Sequence, residues 1–236
     1  MTKQSQKSNQ PAATRAKNLL WTCYATGRRP VAAFNLLLHR FRKEPYAGSA
    51  HAAHQDFSQR YQYFDEVVAR VAGPSIKVME IGSWAGGSAI AWARAVQRHG
   101  AGRVVCVDPW VPYKDESLDG LHLQIMRKAA ETGTILNLFL HNIRASGLEG
   151  MISPFKIPSE EGLQLFGPVF DIVYIDGNHD YEPVCQDVRL GRAALRPGGW
   201  LCGDDYDETH PAVQRALHTC LGDKIEHKNG FWFKQT

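Results

Sequence analysis

The stretch IKVMEIGSWAGGSAIAWARAVQRHGAGRVVCVD (76–108) decides the fold. IKVMEIGS (76–83) reads as a buried strand, Ala89 to Arg98 carries helical spacing and stops at Gly100, and RVVCVDPW (103–110) is a second strand. The alternation continues outward. Upstream, Tyr61 to Val71 reads as a helix halted by Gly73-Pro74. Downstream, MISPFKIPS (151–159), DIVYIDG (171–177) and WLCGDDY (200–206) are three more strands, with a helix over 181–195 between the last two. Continuously apolar strands alternating with helices signal a parallel sheet covered on both faces. The run IEHKNGFWFKQ (225–235) differs: two short β-like segments flank Asn229-Gly230, a strong hairpin signal. The expected fold is α/β, a doubly wound, mostly parallel sheet ending in an antiparallel C-terminal hairpin, preceded by an N-terminal helical extension.

Charge divides the chain. Residues 1–43 hold nine basic residues and no acidic one, leaving eighteen basic against 24 acidic in the remainder. A basic arm is thus joined to a mildly acidic body, which argues against nucleic acid as a partner. Residues 1–16, rich in Lys, Gln, Ser and Asn, read as a disordered basic tail. Residues 17–60 read as a helical extension: Leu19, Leu20, Trp21 and Tyr24, then Val31, Phe34, Leu37, Leu38 and Phe41, recur at helical spacing. That extension is expected to pack on the body or on a second copy in a homo-oligomer, or to make peripheral contact with an anionic membrane. Residues 61–236 form the main domain. No apolar run approaches the roughly 20 residues of a membrane span. Five cysteines without metal-site spacing fit a reduced, cytoplasmic setting.

In open parallel sheets, ligands bind at the carboxyl ends of the strands near the point where strand order reverses. The first strand ends in EIGSWAGGS (80–88), where Gly82, Gly86 and Gly87 permit close approach of backbone to a ligand and Ser88 offers a hydroxyl. A tight strand–helix turn would use the same glycines. The second strand ends in Asp108, whose carboxylate can accept hydrogen bonds from both ribose hydroxyls of an adenosine or cap a helix. Nicotinamide, flavin and sulfonium cofactors all fit this pair. Trp84 stands where a G-x-G-x-x-G loop needs its middle glycine, which disfavours a pyrophosphate. Glu80, an acid within an apolar strand, must be paired or hydrogen-bonded; a cationic sulfonium would suit it, and backbone amides of the glycine turn would serve equally well.

The runs VMEIGSWAGGSA, VVCVDPW, KIPSEE, FDIVYIDGNHDYEPVCQDV and LRPGGWLCGDDY, in this order before a terminal hairpin, resemble the class I S-adenosylmethionine-dependent methyltransferases. More narrowly they resemble the metal-dependent O-methyltransferases of the catechol and macrocin (sugar-directed) types. The resemblance covers about residues 60–236 and implies a Rossmann-like domain. It implies that Glu80, Gly82, Ser83 and Ser88 line the methionine end of S-adenosylmethionine, with Gly86 in the cofactor-binding loop. Asp108, with Trp110 beside it, would hold the ribose, and Ser159 and Glu160 would lie at the adenine; a helix N-cap explains Ser159-Glu160 equally well.

Asp176 ends the fourth strand and Asp204-Asp205 the fifth, so the three acids open on one edge of a parallel sheet. Gathered there, they repel one another unless a cation intervenes, and oxygen ligands favour Mg²⁺, Mn²⁺ or Ca²⁺ over zinc. The resemblance assigns Asp176, Asp204 and Asp205 to a divalent metal, expected to be Mg²⁺. It also places His179 where the catechol type carries a lysine base, and the imidazole's ordinary pKa of about 6.5 suits proton acceptance. His210 is the second candidate base. Tyr181 and Tyr206 could line the acceptor pocket, and the insertion from Val111 to Gly147 is expected to set specificity. The expected reaction is methyl transfer to a hydroxyl of a small molecule, a sugar or glycosylated metabolite being favoured. The rivals are a nicotinamide-dependent oxidoreductase and a non-catalytic, cofactor-binding module docked on an anionic surface.

Overall fold

The computed structural model describes residues 61–71, 73–112 and 127–236, with 38, 41 and 43–45. The tail expected at 1–16, nearly all of the extension expected at 17–60, and residues 113–126 of the insertion lie outside these. In chain order the described elements are α1 (Gln62–Ala69), β1 (Ser75–Ile81), α2 (Gly87–His99), β2 (Ala101–Val107), α3 (Thr134–Ala145), β3 (Ile152–Phe155), α4 (Ser159–Leu165), β4 (Phe170–Ile175), α5 (Tyr181–Ala194), β5 (Leu195–Tyr206), α6 (Pro211–Leu221), β6 (Glu226–Lys228) and β7 (Gly230–Gln235). None of the helices among the described residues is long and apolar enough to cross a membrane.

The strands form one sheet of seven in the order β3-β2-β1-β4-β5-β7-β6. The first five run parallel, and β7 is antiparallel to both β5 and β6. This is the doubly wound sheet with a terminal hairpin that the alternation predicts. Strand order reverses between β1 and β4, so the crevice for a ligand falls at Gly82 and Asp176. β5 begins at Leu195, well before the apolar run at Trp200, because Leu195 pairs with Phe170 across a register irregularity. β3 is shorter than the sequence suggests and ends at Phe155.

Side-chain alternation along β1 splits the core into two layers. Ile76 and Val78 join Phe64 of α1, Trp92 of α2 and Phe139 of α3 on one face. Met79 and Ile81 join Val184 and Val188 of α5 and Leu217 of α6 on the other. Phe64 is fully buried and stacks on Trp92 at 3.9 Å between ring centroids. The hairpin turn follows its sequence closely. Lys228 lies opposite Phe231, leaving Asn229 and Gly230 as a two-residue turn with φ of 49° and 87°. Positive φ at both positions is what a type I′ turn requires and what Asn-Gly supplies at little cost. The hairpin also fastens α1: Asn229 donates its side-chain amide to the Tyr63 hydroxyl at 2.7 Å, and Lys228 reaches Glu66 at 2.6 Å.

Candidate active site

At the β1 and β2 ends the site is built from backbone. The chain leaves β1 through Gly82, whose φ of 80° favours glycine and where a Cβ would stand 2.1 Å from the Asp176 carbonyl oxygen. That close approach lets the ends of β1 and β4 meet at the switch point. Trp84 follows with φ of 45°, a left-handed conformation uncommon for a bulky residue. Asp108 holds this turn: Oδ2 accepts from the backbone amides of Ser83 at 3.0 Å and Trp84 at 2.9 Å, and Oδ1 from that of Trp110 at 2.6 Å. Trp110 closes the arrangement by donating its indole N–H to the Trp84 carbonyl at 2.7 Å. A carboxylate offers about four lone-pair positions, so three amides leave room for a further donor. Burial pushes the Asp108 carboxyl up, against the pull of the Trp110, Trp84 and Ser83 amides.

Glu80 lies in the same corner and is fully buried. Burial raises its pKa to about 7, with Ser83, Ser88 and Cys106 offsetting part of the rise and Asp108 adding to it. The Cys106 thiol stands 3.4 Å from Oε2. The Ser83 and Ser88 hydroxyls flank the buried carboxylate. A buried carboxylate beside a glycine turn suits a ligand bearing positive charge, as a sulfonium with an α-amino group does.

At the β4 and β5 ends the site is built from side chains. Asp176 accepts from the Tyr174 hydroxyl at 3.2 Å. Burial drives its carboxyl well above the usual range, Asp204 and then Asp205 push the same way, and His179 partly opposes them. The expected acids and His179 therefore share one electrostatic neighbourhood. Asp204 uses Oδ1 to accept the Asp205 amide at 2.8 Å, and Asp205 adopts a left-handed φ of 63°. From there its carboxylate meets two imidazoles, Nε2 of His179 at 2.8 Å from Oδ2 and Nδ1 of His210 at 3.5 Å from Oδ1. His179, Asp205 and His210 place ligand-type atoms within 4.8 Å of one another; Asp176 and Asp204 stand outside that group. The donor set that converges thus contains two nitrogens, unlike the all-oxygen set expected for Mg²⁺.

Several residues have partners that sequence reasoning did not supply. Asp187 of α5 is buried, with its carboxyl raised to about 6 by that burial, and it takes a hydrogen bond from Ser159. Ser159 therefore faces α5, while Glu160 is exposed on the first turn of α4. Tyr181 donates to Thr219 at 3.3 Å and Tyr206 meets His218 at 2.9 Å, tying both tyrosines to α6. Asp207 accepts from the Thr209 amide and hydroxyl and faces Nδ1 of His210 at 3.1 Å. Burial works against its charge, but those contacts outweigh it and its pKa falls. The spacing D-x-T-H at 207–210 was the available signal, an Asx-type turn before Pro211.

Sheet order and the crevice at the switch point together define a Rossmann-like α/β domain. A family model described as a methyltransferase domain matches residues 79–206, just over half of the chain. The chain belongs to that family. Among solved structures, a cofactor-bound protein from MTB is 18% identical with a TM-score of 0.53, each chain being covered over 97%. A Thermotoga maritima S-adenosylmethionine-dependent O-methyltransferase is 14% identical with a TM-score of 0.53, covering 77% of this chain and 66% of that one. A Bacillus cereus O-methyltransferase in complex with SAH is 17% identical with a TM-score of 0.50, over 89% and 97% of the two chains. At these identities the likeness is one of fold. An uncharacterized protein of Acanthamoeba polyphaga mimivirus is 36% identical over 55 residues, which are 22% of this chain and 25% of that protein. The chain thus spans a quarter of the length of that relative.

Proposed function

We propose that the chain transfers the sulfonium methyl of S-adenosylmethionine to a hydroxyl oxygen of a small molecule. The observation that carries this reading is the meeting of two unlike corners at the switch point. Asp108 and the glycine turn lie on one side, and Asp176, His179 and Asp205 on the other. In this reading Glu80, Gly82, Ser83, Gly86 and Ser88 hold the methionine end. Asp108 takes a ribose hydroxyl in its remaining acceptor position, with Trp110 beside it. Ser159 and Glu160 mark the adenine side. The bound cofactor supplies an electrophilic methyl; the protein has to present an oxygen in line with it and remove that oxygen's proton.

Deprotonation belongs to the second corner. Asp205 fixes the His179 ring at 2.8 Å, the arrangement that orients an imidazole toward an incoming hydroxyl. A divalent cation at these acids assists in the reading we favour; its ligands are taken up below. A sugar or glycosylated acceptor is favoured over a catechol because the segment IDGNHDY (175–181) is similar to the sugar-directed type. Calorimetry with S-adenosylmethionine, followed by transfer of labelled methyl to a panel of sugar and catechol hydroxyls, tests the proposal. Binding with oxygen-linked label in product is expected. Failure of the cofactor to bind, or label found only on nitrogen or carbon, overturns it.

A further inference from the structure

The group formed by His179, Asp205 and His210 differs from what the resemblance implies for this corner. Its members come from three segments: the loop after β4, the end of β5 and the residue capping α6. Their side chains are only 16%, 15% and 18% exposed. The two rings lie 5.0 Å apart, one against each oxygen of the Asp205 carboxylate. Asp205 reaches this position through a left-handed backbone conformation, the kind of local cost that persists at functional sites. Asp207, locked by Thr209, faces the same Nδ1 of His210 at 3.1 Å and adds a second carboxylate beside that nitrogen.

We propose that His179, Asp205 and His210 bind one divalent transition-metal ion of the Zn²⁺ type, in place of Mg²⁺ on an all-carboxylate set. Imidazole nitrogen suits Zn²⁺, Fe²⁺ and their neighbours, whereas Mg²⁺ demands oxygens in near-octahedral array and keeps its waters. Two imidazoles and one carboxylate are a complete protein ligand set for an ion that retains open positions. Each imidazole–carboxylate contact here is a place where a metal ion can stand in for a shared proton. Ligands about 2.1 Å from one ion lie roughly 3.4 Å apart in a tetrahedron, so atoms already within 4.8 Å of one another close on it by side-chain rotation. An ion there supplies Lewis acidity to a hydroxyl bound in an open position. In the loaded protein His179 is a ligand, and its proton-accepting role belongs to the ion-free chain. The catalytic consequence rests on the methyltransferase reading; the binding of the ion does not.

The experiment is calorimetric titration of the untagged, metal-stripped full chain with Zn²⁺ and, separately, with Mg²⁺. One equivalent of Zn²⁺ is expected to bind at least about 100-fold more tightly than Mg²⁺. His179→Ala and His210→Ala are each expected to weaken Zn²⁺ by about 10–100-fold or more. Co²⁺ added to the unaltered chain gives a second readout that needs no variant: a visible spectrum of nitrogen-ligated Co²⁺ that Zn²⁺ abolishes. Equal or tighter Mg²⁺ binding, unchanged Zn²⁺ affinity in both folded histidine variants, or a purely oxygen-ligated Co²⁺ spectrum overturns the proposal. S-adenosylmethionine titrated into the same ion-free sample separates the two readings. Loss of that binding with Zn²⁺ binding intact sinks the transferase reading alone, and the reverse sinks only the ion site.

Discussion

At the ends of β1 and β2, Asp108 directs its carboxylate at three backbone amides, two in the turn after β1 and that of Trp110 just after β2. At the ends of β4 and β5, Asp205 directs its carboxylate at two side chains from separate loops. The first arrangement is local and rigid: the glycine turn and its acid are specified by a run of residues that fold together. The second is assembled only when β4, β5 and α6 have taken their places, and each partner can move by rotation about its own side-chain bonds. A pocket for an invariant cofactor gains from the former, and one that must accept a proton or an ion from the latter.

The contrast can be broken most forcefully at the second corner. In the ion-free chain His179→Ala is expected to lower turnover by about 10²–10⁴-fold with cofactor affinity unchanged, as read from kcat and from calorimetry on one preparation. Equal loss of cofactor binding would mean that the two corners are not separable. At the first corner, Asp108→Ala leaves buried amides without an acceptor, each costing about 1–3 kcal/mol. A fall in both melting temperature and S-adenosylmethionine affinity, the latter by about 100-fold, is expected from two lost interactions of this kind. Retained affinity would remove the ribose role.

Glu80 sharpens the comparison through pH. Its pKa stands near 7 in the folded chain against an ordinary 4.5, so folding takes up a proton between those values. The unfolded chain binds fewer protons there, and stability falls as pH rises from about 4.5 to about 7, then levels. The shift corresponds to at most about 3 kcal/mol. Glu80→Gln is therefore expected to flatten that slope in denaturant titrations and to stabilise the cofactor-free chain above neutrality; an unaltered slope would show that the acid is charged when folded. The smallest expected effect is that of Tyr174→Phe, which removes one donor to Asp176 at 3.2 Å and costs about 1 kcal/mol in the same titrations.

The sheet was legible in the sequence because each strand is a short apolar run followed by its own punctuation. Asn229-Gly230 even specified its turn type, both residues having positive φ. Boundaries slipped where pairing overrode composition, as at Leu195, which enters β5 through its partner Phe170 although Pro197 and two glycines follow. In the site, the acids at 108, 176, 204 and 205 were visible from their positions after strands. Partnership was not. That Asp187 would take the Ser159 hydroxyl, or that Asp205 would lie between two histidines, depends on how helices dock over the sheet. No local spacing encodes such docking. Gly82 shows the same limit: its hydrogen makes way for the Asp176 carbonyl, a requirement set by a strand far along the chain.

The contacts joining α1 to the terminal hairpin link residues 156 to 166 positions apart: Arg70 with Glu226, Glu66 with Lys228 and Tyr63 with Asn229. During synthesis, α1 leaves the ribosome long before its partners exist. Its apolar face can meet Trp92 of α2 early, but Phe64 meets Phe231 only after the intervening sheet is translated. A message truncated before codon 230 would yield a product whose β5 edge lacks β7, an open strand ready to pair with its neighbours.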